Sequence, residues 1–399
     1  MKILILTHRV PFPQNGGYPI VVCNTIRGLV NSGHEVSLVS LNAQKQHHHE
    51  EEQPDELLSR IKFRPYDIDT SMSLFEGFLT TFSKNAYNVE RYYDANFEKL
   101  LIGEVRNNVY DIIQFEGLFV APYVDAVRRN CKTKLVYRAH NIEHQIWERL
   151  AQQKNDPFKK FYLRLMSHRI KKYEIQQVNK FDAVAVFTAQ DQGTMMLYGA
   201  KMPVEIVPVG VELSHYRPDL EKTEFPSLFF LGSLDWTPNR EGIEWFLHAF
   251  QNELEHDELP VKFYVAGNNI PEEFDEYEVM GKIFIQGEVD DALEFVNSKA
   301  IMIVPLLSGG GMRVKIVEGM AMEKCIISTS LGAEGINYKN GVNILIANTR
   351  EEFLRAIRRC IADEDYCKAV GVNARRLVEE QHDVNKVTQK LIGLYKDLL

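Results

Sequence analysis

Short apolar runs alternate along the chain with stretches whose apolar positions recur at helical spacing. The first runs are Lys2–Thr7, Glu35–Ser40, Asp111–Phe115, Lys134–Tyr137 and Ala183–Thr188. Continuous rather than alternating hydrophobicity marks strands covered on both faces, as in a parallel sheet crossed over by helices. A first α/β domain is therefore expected over 1–205. After Val204-Glu-Ile-Val-Pro208 a polar stretch leads to Phe225, and a second series follows: Ser227–Leu231, Lys262–Ala266, Lys282–Gln286, Ile301–Pro305 and Cys325–Ser328. These predict a second α/β domain over 206–382. In the closing segment 383–399, Val384, Val387, Leu391, Leu394 and Leu398 share one helical face, and this helix is expected to join the first domain.

Composition narrows the class. At 399 residues the chain can bury two cores, and 45% apolar with 25% charged residues is ordinary for a globular protein. A net charge of −9 disfavours a surface committed to nucleic acid. Cys23, Cys131, Cys325, Cys360 and Cys367 are scattered, odd in number and without a CxxC pair, so neither a disulfide framework nor a zinc knuckle is expected. With no signal-like start and no run near the ~18 apolar residues of a membrane span, a cytoplasmic protein is the expectation. One stretch leaves room for peripheral contact with a membrane's inner face: Lys159, Lys160, Arg164, Arg169, Lys171 and Lys172 occur without an acid among Phe158, Phe161, Tyr162, Leu163, Leu165 and Met166. The alternative is a basic surface helix with its apolar side in the core. His47-His48-His49-Glu50-Glu51-Glu52 lacks the spacing of a preformed metal site and reads as a solvated loop, so no metal is assigned.

The chemistry concentrates in Val304-Pro-Leu-Leu-Ser-Gly-Gly-Gly-Met-Arg-Val-Lys-Ile-Val-Glu-Gly-Met-Ala-Met322, a strand, a glycine-rich turn and a helix. Gly309, Gly310 and Gly311 allow close backbone approach, and a helix start presents N–H groups to an anion. Arg313 and Lys315 can bring two cations to a diphosphate, and Glu318 can accept hydrogen bonds from ribose hydroxyls. A nucleoside diphosphate fits that set. A structural turn followed by surface charges is the competing reading.

The order and types of these residues resemble the donor-binding segment of glycosyltransferase family 4. Phe229-Phe-Leu-Gly-Ser-Leu-Asp-Trp-Thr-Pro-Asn-Arg-Glu-Gly242, Val265-Ala-Gly-Asn268, Ile285-Gln-Gly-Glu-Val289 and Ser328-Thr-Ser-Leu-Gly-Ala-Glu-Gly335 continue the likeness, as do Pro11-Phe-Pro-Gln-Asn-Gly-Gly17, Arg138-Ala-His-Asn-Ile-Glu143 and Phe181-Asp-Ala-Val-Ala-Val-Phe-Thr-Ala-Gln-Asp191. The resemblance implies a GT-B fold, two Rossmann-like doubly wound domains facing a central cleft. It also implies a retaining, metal-independent transferase without cofactor that moves a sugar from a nucleotide-diphosphate-sugar donor, UDP- or GDP-linked, to a saccharide or lipid-linked acceptor in cell-surface polysaccharide or glycoconjugate assembly. Carried over residue by residue, the catalytic set is His140, Arg313, Lys315 and Glu318. The donor-binding set adds Gly16, Gly17, Gly232, Ser233, Gly310, Gly311 and Met312.

The chain departs from the family pattern at identifiable places. Gly310 stands where many members carry the first acid of an EX7E motif, and Glu318 is the second. Ser233 and Asn239 stand near the places of an Arg and a Lys in the turn that opens the second domain, which leaves Arg313 and Lys315 as the main positive charge. Glu143 reads as an exposed acid at a helix start. A nicotinamide oxidoreductase would need GxGxxG after the first strand, which is missing. A non-catalytic glycan-binding protein on the same scaffold, or a sugar-nucleotide epimerase of the same architecture, is the alternative.

Overall fold

The computed structural model describes residues 1–14, 16–43, 56–70, 87–256 and 258–399; the histidine-rich segment His47–Glu52 lies outside them. The chain divides into two compact units, Met1–Gly210 with Val384–Leu399, and Val211–Asp383. Each is a parallel sheet with helices packed on it.

In the first unit the described strands are β1 (Lys2–Thr7), β2 (Glu35–Ala43), β3 (Lys62–Ile68), β4 (Ile112–Glu116), β5 (Lys134–Ala139), β6 (Ala183–Val186) and β7 (Val204–Ile206). They line up as β3-β2-β1-β4-β5-β6-β7. Successive residues of β1 serve opposite faces: Leu4 and Leu6 enter one buried cluster with Phe97, Phe115 and Tyr137, while Ile3 and Ile5 enter another with Val22, Ile26 and Leu38. That two-sided burial explains the unbroken apolar runs.

The last helix, Val384–Leu398, completes the second of these clusters. Its Val387, Leu391, Ile392, Leu394 and Tyr395 pack with Ile3 and Ile5. Fully burying side chains of this size contributes roughly 1.5–3 kcal/mol each. Gly28 allows the helix Gly17–Asn31 to approach closely, since a Cβ there would lie 2.0 Å from Thr388 Oγ1. Tyr395 fixes the register by donating its hydroxyl to the Gln114 side chain on β4.

The second unit contains β8 (Glu224–Leu231), β9 (Lys262–Ala266), β10 (Ile283–Gly287), β11 (Lys299–Val304), β12 (Cys325–Ser328) and β13 (Leu345–Ile346), in the order β10-β9-β8-β11-β12-β13. Its core is aromatic: Phe246 contacts the rings of Phe250, Phe263 and Phe353, and Phe250 contacts Phe353, at centroid separations of 4.7–6.5 Å.

Three strands were not expected. β3 reads Lys-Phe-Arg-Pro-Tyr-Asp-Ile at the sheet edge, with Pro65 inside it. Edge strands tolerate polar residues and proline because one face of the ladder bonds to nothing. β7 and β13 are too short to leave a pattern. The expected boundary at residue 205 lies five residues before the division at Gly210 because Val207 continues from β7 into the first unit's core.

In both sheets the strand order reverses beside the first strand, between β1 and β4 and between β8 and β11. Crossovers leave these strands in opposite directions there, so the loops at their C-terminal ends part and open a crevice, the usual ligand position in such sheets.

Candidate functional site

The glycine turn and its basic residues lie at the second unit's switch point. After β11, Gly309 and Gly311 adopt φ of 103° and 76°, and the helix Val314–Ala321 begins at Arg313 without a side-chain cap. A Cβ at Gly309 would stand 2.9 Å from Arg313 Nη2 and 3.1 Å from the Trp236 ring. The glycine thus makes room for the buried Arg313 guanidinium, which stacks on Trp236 at 5.1 Å and donates to the Gly310 carbonyl. Met312 is buried beside it.

Lys315 projects from the same helix toward the turn after β8. Its Nζ donates to Asn239 Oδ1 at 2.8 Å and sits 4.2 Å over the Phe230 ring, while Asn239 Nδ2 donates to the Ser233 carbonyl at 2.8 Å. Gly232 keeps the space open: a Cβ there would lie 2.9 Å from Lys315 Nζ. Burial, then the neighbouring Arg313 cation, hold the Lys315 amine down at about 7, against the pull of Glu318. Glu318 accepts the Tyr216 hydroxyl at 2.6 Å, and burial pushes its carboxyl up. Gly232, Ser233, Gly310, Gly311, Met312, Arg313, Lys315 and Glu318 therefore belong to one region of the second unit. Asn239, noted in the sequence only for its position in the turn, links the loops after the two switch-point strands.

The remaining predicted residues are in the first unit. Gly16, with φ of 104°, precedes the helix that Gly17 opens. His140 follows β5, and its Nε2 lies 2.5 Å from Glu116 Oε2. Glu116 is fully buried at the end of β4, where its other carboxylate oxygen accepts from Gln114 and its carbonyl accepts the Tyr18 hydroxyl at 3.3 Å. Parallel pairing sets Glu116 opposite Arg138, two residues before His140. Glu116 escaped the sequence analysis; an acid closing a buried apolar run, with a histidine two residues beyond its cross-strand partner, was the available signal.

Glu143 corrects an expectation. It is half-buried rather than exposed, its backbone N–H donates to Glu174 Oε1 at 3.1 Å, and burial followed by the Glu174 charge pushes its carboxyl up to about 7. Scattered cysteines also converge: Cys325, Cys360 and Cys367 are buried, with their sulfurs all within 4.8 Å of one another. The basic stretch forms the helix Pro157–Val178, whose Met166, Ile170 and Val178 are buried while Phe158 and Phe161 at its start are 86% and 69% exposed. No helix among the described residues is long and apolar enough to cross a membrane.

Residues 15–215 match the Glycosyltransferase Family 4 model and residues 225–363 match Glycosyl transferases group 1. The chain belongs to glycosyltransferase family 4. This glycosyltransferase is 24% identical over 399 residues to an uncharacterized 44.6 kDa protein in the cps region of Klebsiella pneumoniae, covering 97% of each chain. Among solved structures it resembles sucrose-phosphate synthase from Thermosynechococcus elongatus, with a TM-score of 0.74, 16% identity, and coverage of 100% of this chain and 99% of that one. It also resembles Anabaena HepE in complex with UDP-glucose, with a TM-score of 0.64, 14% identity and full coverage of both chains. The fold of the family 4 glycosyltransferase is accordingly GT-B.

Proposed function

We propose that this glycosyltransferase takes its sugar from a nucleotide-diphosphate-sugar, UDP- or GDP-linked, bound by the second unit. The observation that carries the reading is the pair Arg313 and Lys315, held beside a glycine-rich helix start at a sheet switch point. Lys315, held down at about 7 by burial and by Arg313 despite Glu318, gains as an ammonium from the negative charge that a diphosphate supplies. HepE, a structural neighbour, is a complex with UDP-glucose, which supports this donor class.

On this reading Arg313, Lys315 and the helix-start N–H groups stabilise the departing nucleoside diphosphate, the role a divalent metal has elsewhere, so transfer proceeds without one. Gly232, Ser233, Gly310, Gly311 and Met312 shape the phosphate site, and Glu318, steadied by Tyr216, binds ribose hydroxyls. His140, oriented by Glu116, holds a hydroxyl of the donor sugar, and the loop containing Gly16 and Gly17 lines the reaction site. The product keeps the donor's anomeric configuration. The acceptor is a saccharide, free or lipid-linked, of the kind assembled into cell-surface polysaccharide or glycoconjugate. The exposed Phe158 and Phe161, amid Lys159, Lys160 and Arg164, support docking at the cytoplasmic face of a membrane.

Binding of UDP, GDP and ADP in the presence of a chelator, to the native protein and to Arg313→Ala/Lys315→Ala, tests the proposal. Selective binding by the native protein, weakened roughly a hundredfold in the variant, is expected for two lost charge-assisted contacts. If the folded native protein binds none of the three, the transferase has no donor site of this kind, and a non-catalytic role on the same scaffold takes precedence.

A further inference from the structure

Among the described residues the first unit holds two neighbouring arginines that no acid answers. Arg9 follows β1 by two residues, with its guanidinium 4.9 Å from the Tyr18 ring centroid. Arg91 lies 5.1 Å from the Tyr92 ring, its Nη2 3.4 Å from the Tyr92 hydroxyl. His8 packs against Tyr18 at 4.4 Å, Phe119 at 5.0 Å and Tyr92 at 5.7 Å. Among the described residues neither arginine pairs with a carboxylate. Arg9 Nε, Arg91 Nε and His8 Nδ1 are covered from solvent and have no hydrogen-bond partner there. Glu116 is already committed to His140 and Gln114.

A covered guanidinium N–H without an acceptor is unfavourable, so two in one cluster would be a poor arrangement for a surface with nothing to bind. Burial first, then the Arg9 charge, with smaller contributions from His140 and Arg91 and against a hydrogen bond with the Glu116 backbone, pushes the His8 imidazole well below its ordinary value, so His8 adds no charge to the cluster. The cluster lies at the C-terminal ends of β1 and β4, the switch point of the first sheet. Tyr18 also contacts His140, at 4.7 Å between ring centroids, so the arginines neighbour the proposed catalytic histidine.

We propose that Arg9 and Arg91 bind an oxyanion carried by the acceptor, a phosphate or a carboxylate. This rests on the reading that the donor diphosphate has its own cations, Arg313 and Lys315, in the second unit. Guanidinium groups suit the task because their paired N–H donors match the spacing of phosphate or carboxylate oxygens. The flanking tyrosine and phenylalanine rings offer apolar faces for the attached saccharide. The enzyme therefore selects acidic acceptors, such as a sugar phosphate or a uronate, over neutral ones.

Ligand-observed NMR titration of inorganic phosphate and of glucuronate into the full chain, with and without UDP, tests this. Binding by the native protein should persist under UDP and weaken roughly tenfold or more in Arg9→Gln/Arg91→Gln, while UDP affinity stays within about twofold. Arg9→Lys/Arg91→Lys keeps the charge and loses the paired donors, so intermediate weakening is expected even where the glutamine variant folds poorly. Three results would overturn the proposal: no binding of either probe by the native protein, unchanged binding in both variants, or displacement of the probes by UDP, which would assign the arginines to the donor phosphates. UDP binding is measured separately on Arg313→Ala/Lys315→Ala, so a failed donor reading appears there and not in the phosphate titration.

Discussion

The depressed Lys315 amine makes nucleotide affinity a function of pH. In the ligand-free protein this group titrates at about 7, lowered by burial and by Arg313 from its ordinary 10.5. A diphosphate favours the ammonium form, so the complex holds the proton more tightly than the free protein does. Affinity contributed by Lys315 is therefore full below pH 7 and declines above it, by at most a factor of ten per unit. Between pH 7.0 and 8.5 the protonated fraction of the free protein falls from about one half to about 3%, which weakens UDP binding roughly fifteenfold. Stability moves in the opposite sense: the unfolded chain binds this proton more tightly than the fold between about 7 and 10.5, so this group's contribution to stability rises with pH over that window. Lost affinity at pH 8.5 thus cannot be ascribed to unfolding by this lysine. Calorimetric titration of UDP in chelator at both pH values measures the effect, with Lys315→Met as the comparison. The variant should bind weakly, with little difference between the two. Equal affinity of the native protein at pH 7.0 and 8.5, or the same decline in the methionine variant, would refute the reasoning.

Other consequences are open to direct measurement. Gly232→Ala places a Cβ 2.9 Å from Lys315 Nζ; UDP affinity should fall about tenfold with the melting temperature little changed, and unaltered binding would remove Gly232 from the site. Glu116→Gln removes the charged partner of His140; kcat should fall roughly 10–100-fold with KM for the donor nearly constant, and Glu116→Asp should recover part of the loss. Phe158→Ser/Phe161→Ser removes two exposed aromatic side chains from the basic helix; sedimentation with vesicles containing anionic lipid should drop severalfold, whereas equal sedimentation of variant and native protein would end the membrane reading. In the native fold Cys131 should be the first thiol to react with a disulfide reagent, because Cys23, Cys325, Cys360 and Cys367 are buried.

Much of the architecture was legible because parallel strands covered on both faces must be apolar throughout; β1 and β9 have the limits that their runs suggested. β3 was not legible, since an edge strand half in water carries Lys62, Arg64 and Asp67 without penalty. The glycine turn and its basic residues could be read because they are contiguous in sequence and each residue type has a separate reason to attend a phosphate. What joins them could not: Asn239 stands 76 residues from Lys315, and only the neighbouring positions of β8 and β11 bring the two together. The same holds for Glu116 and His140, 24 residues apart. Glu143 was misread because Glu174, which accepts its backbone N–H, lies 31 residues on in the helix Pro157–Val178, and only packing brings the two together. Pairs distant in sequence are set by packing, which no local pattern records.

The return of the chain to its first unit bears on how it is made. Val211 and Asp383 bridge where the chain leaves for the second unit and comes back, so the second unit is an insertion within the first. During synthesis Ile3, Ile5 and their neighbours emerge before the inserted unit, and Leu391, Ile392 and Tyr395, which pack with them, emerge only after it. Throughout synthesis of the inserted unit the N-terminal part therefore has that face of its sheet only partly covered, by the helix Gly17–Asn31, and open to chaperones and proteases, while the inserted unit has all its own residues by Asp383. Native assembly of the first unit is in this sense tied to completion of the second, since it closes only after the helix Val384–Leu398 has followed the inserted unit out of the ribosome.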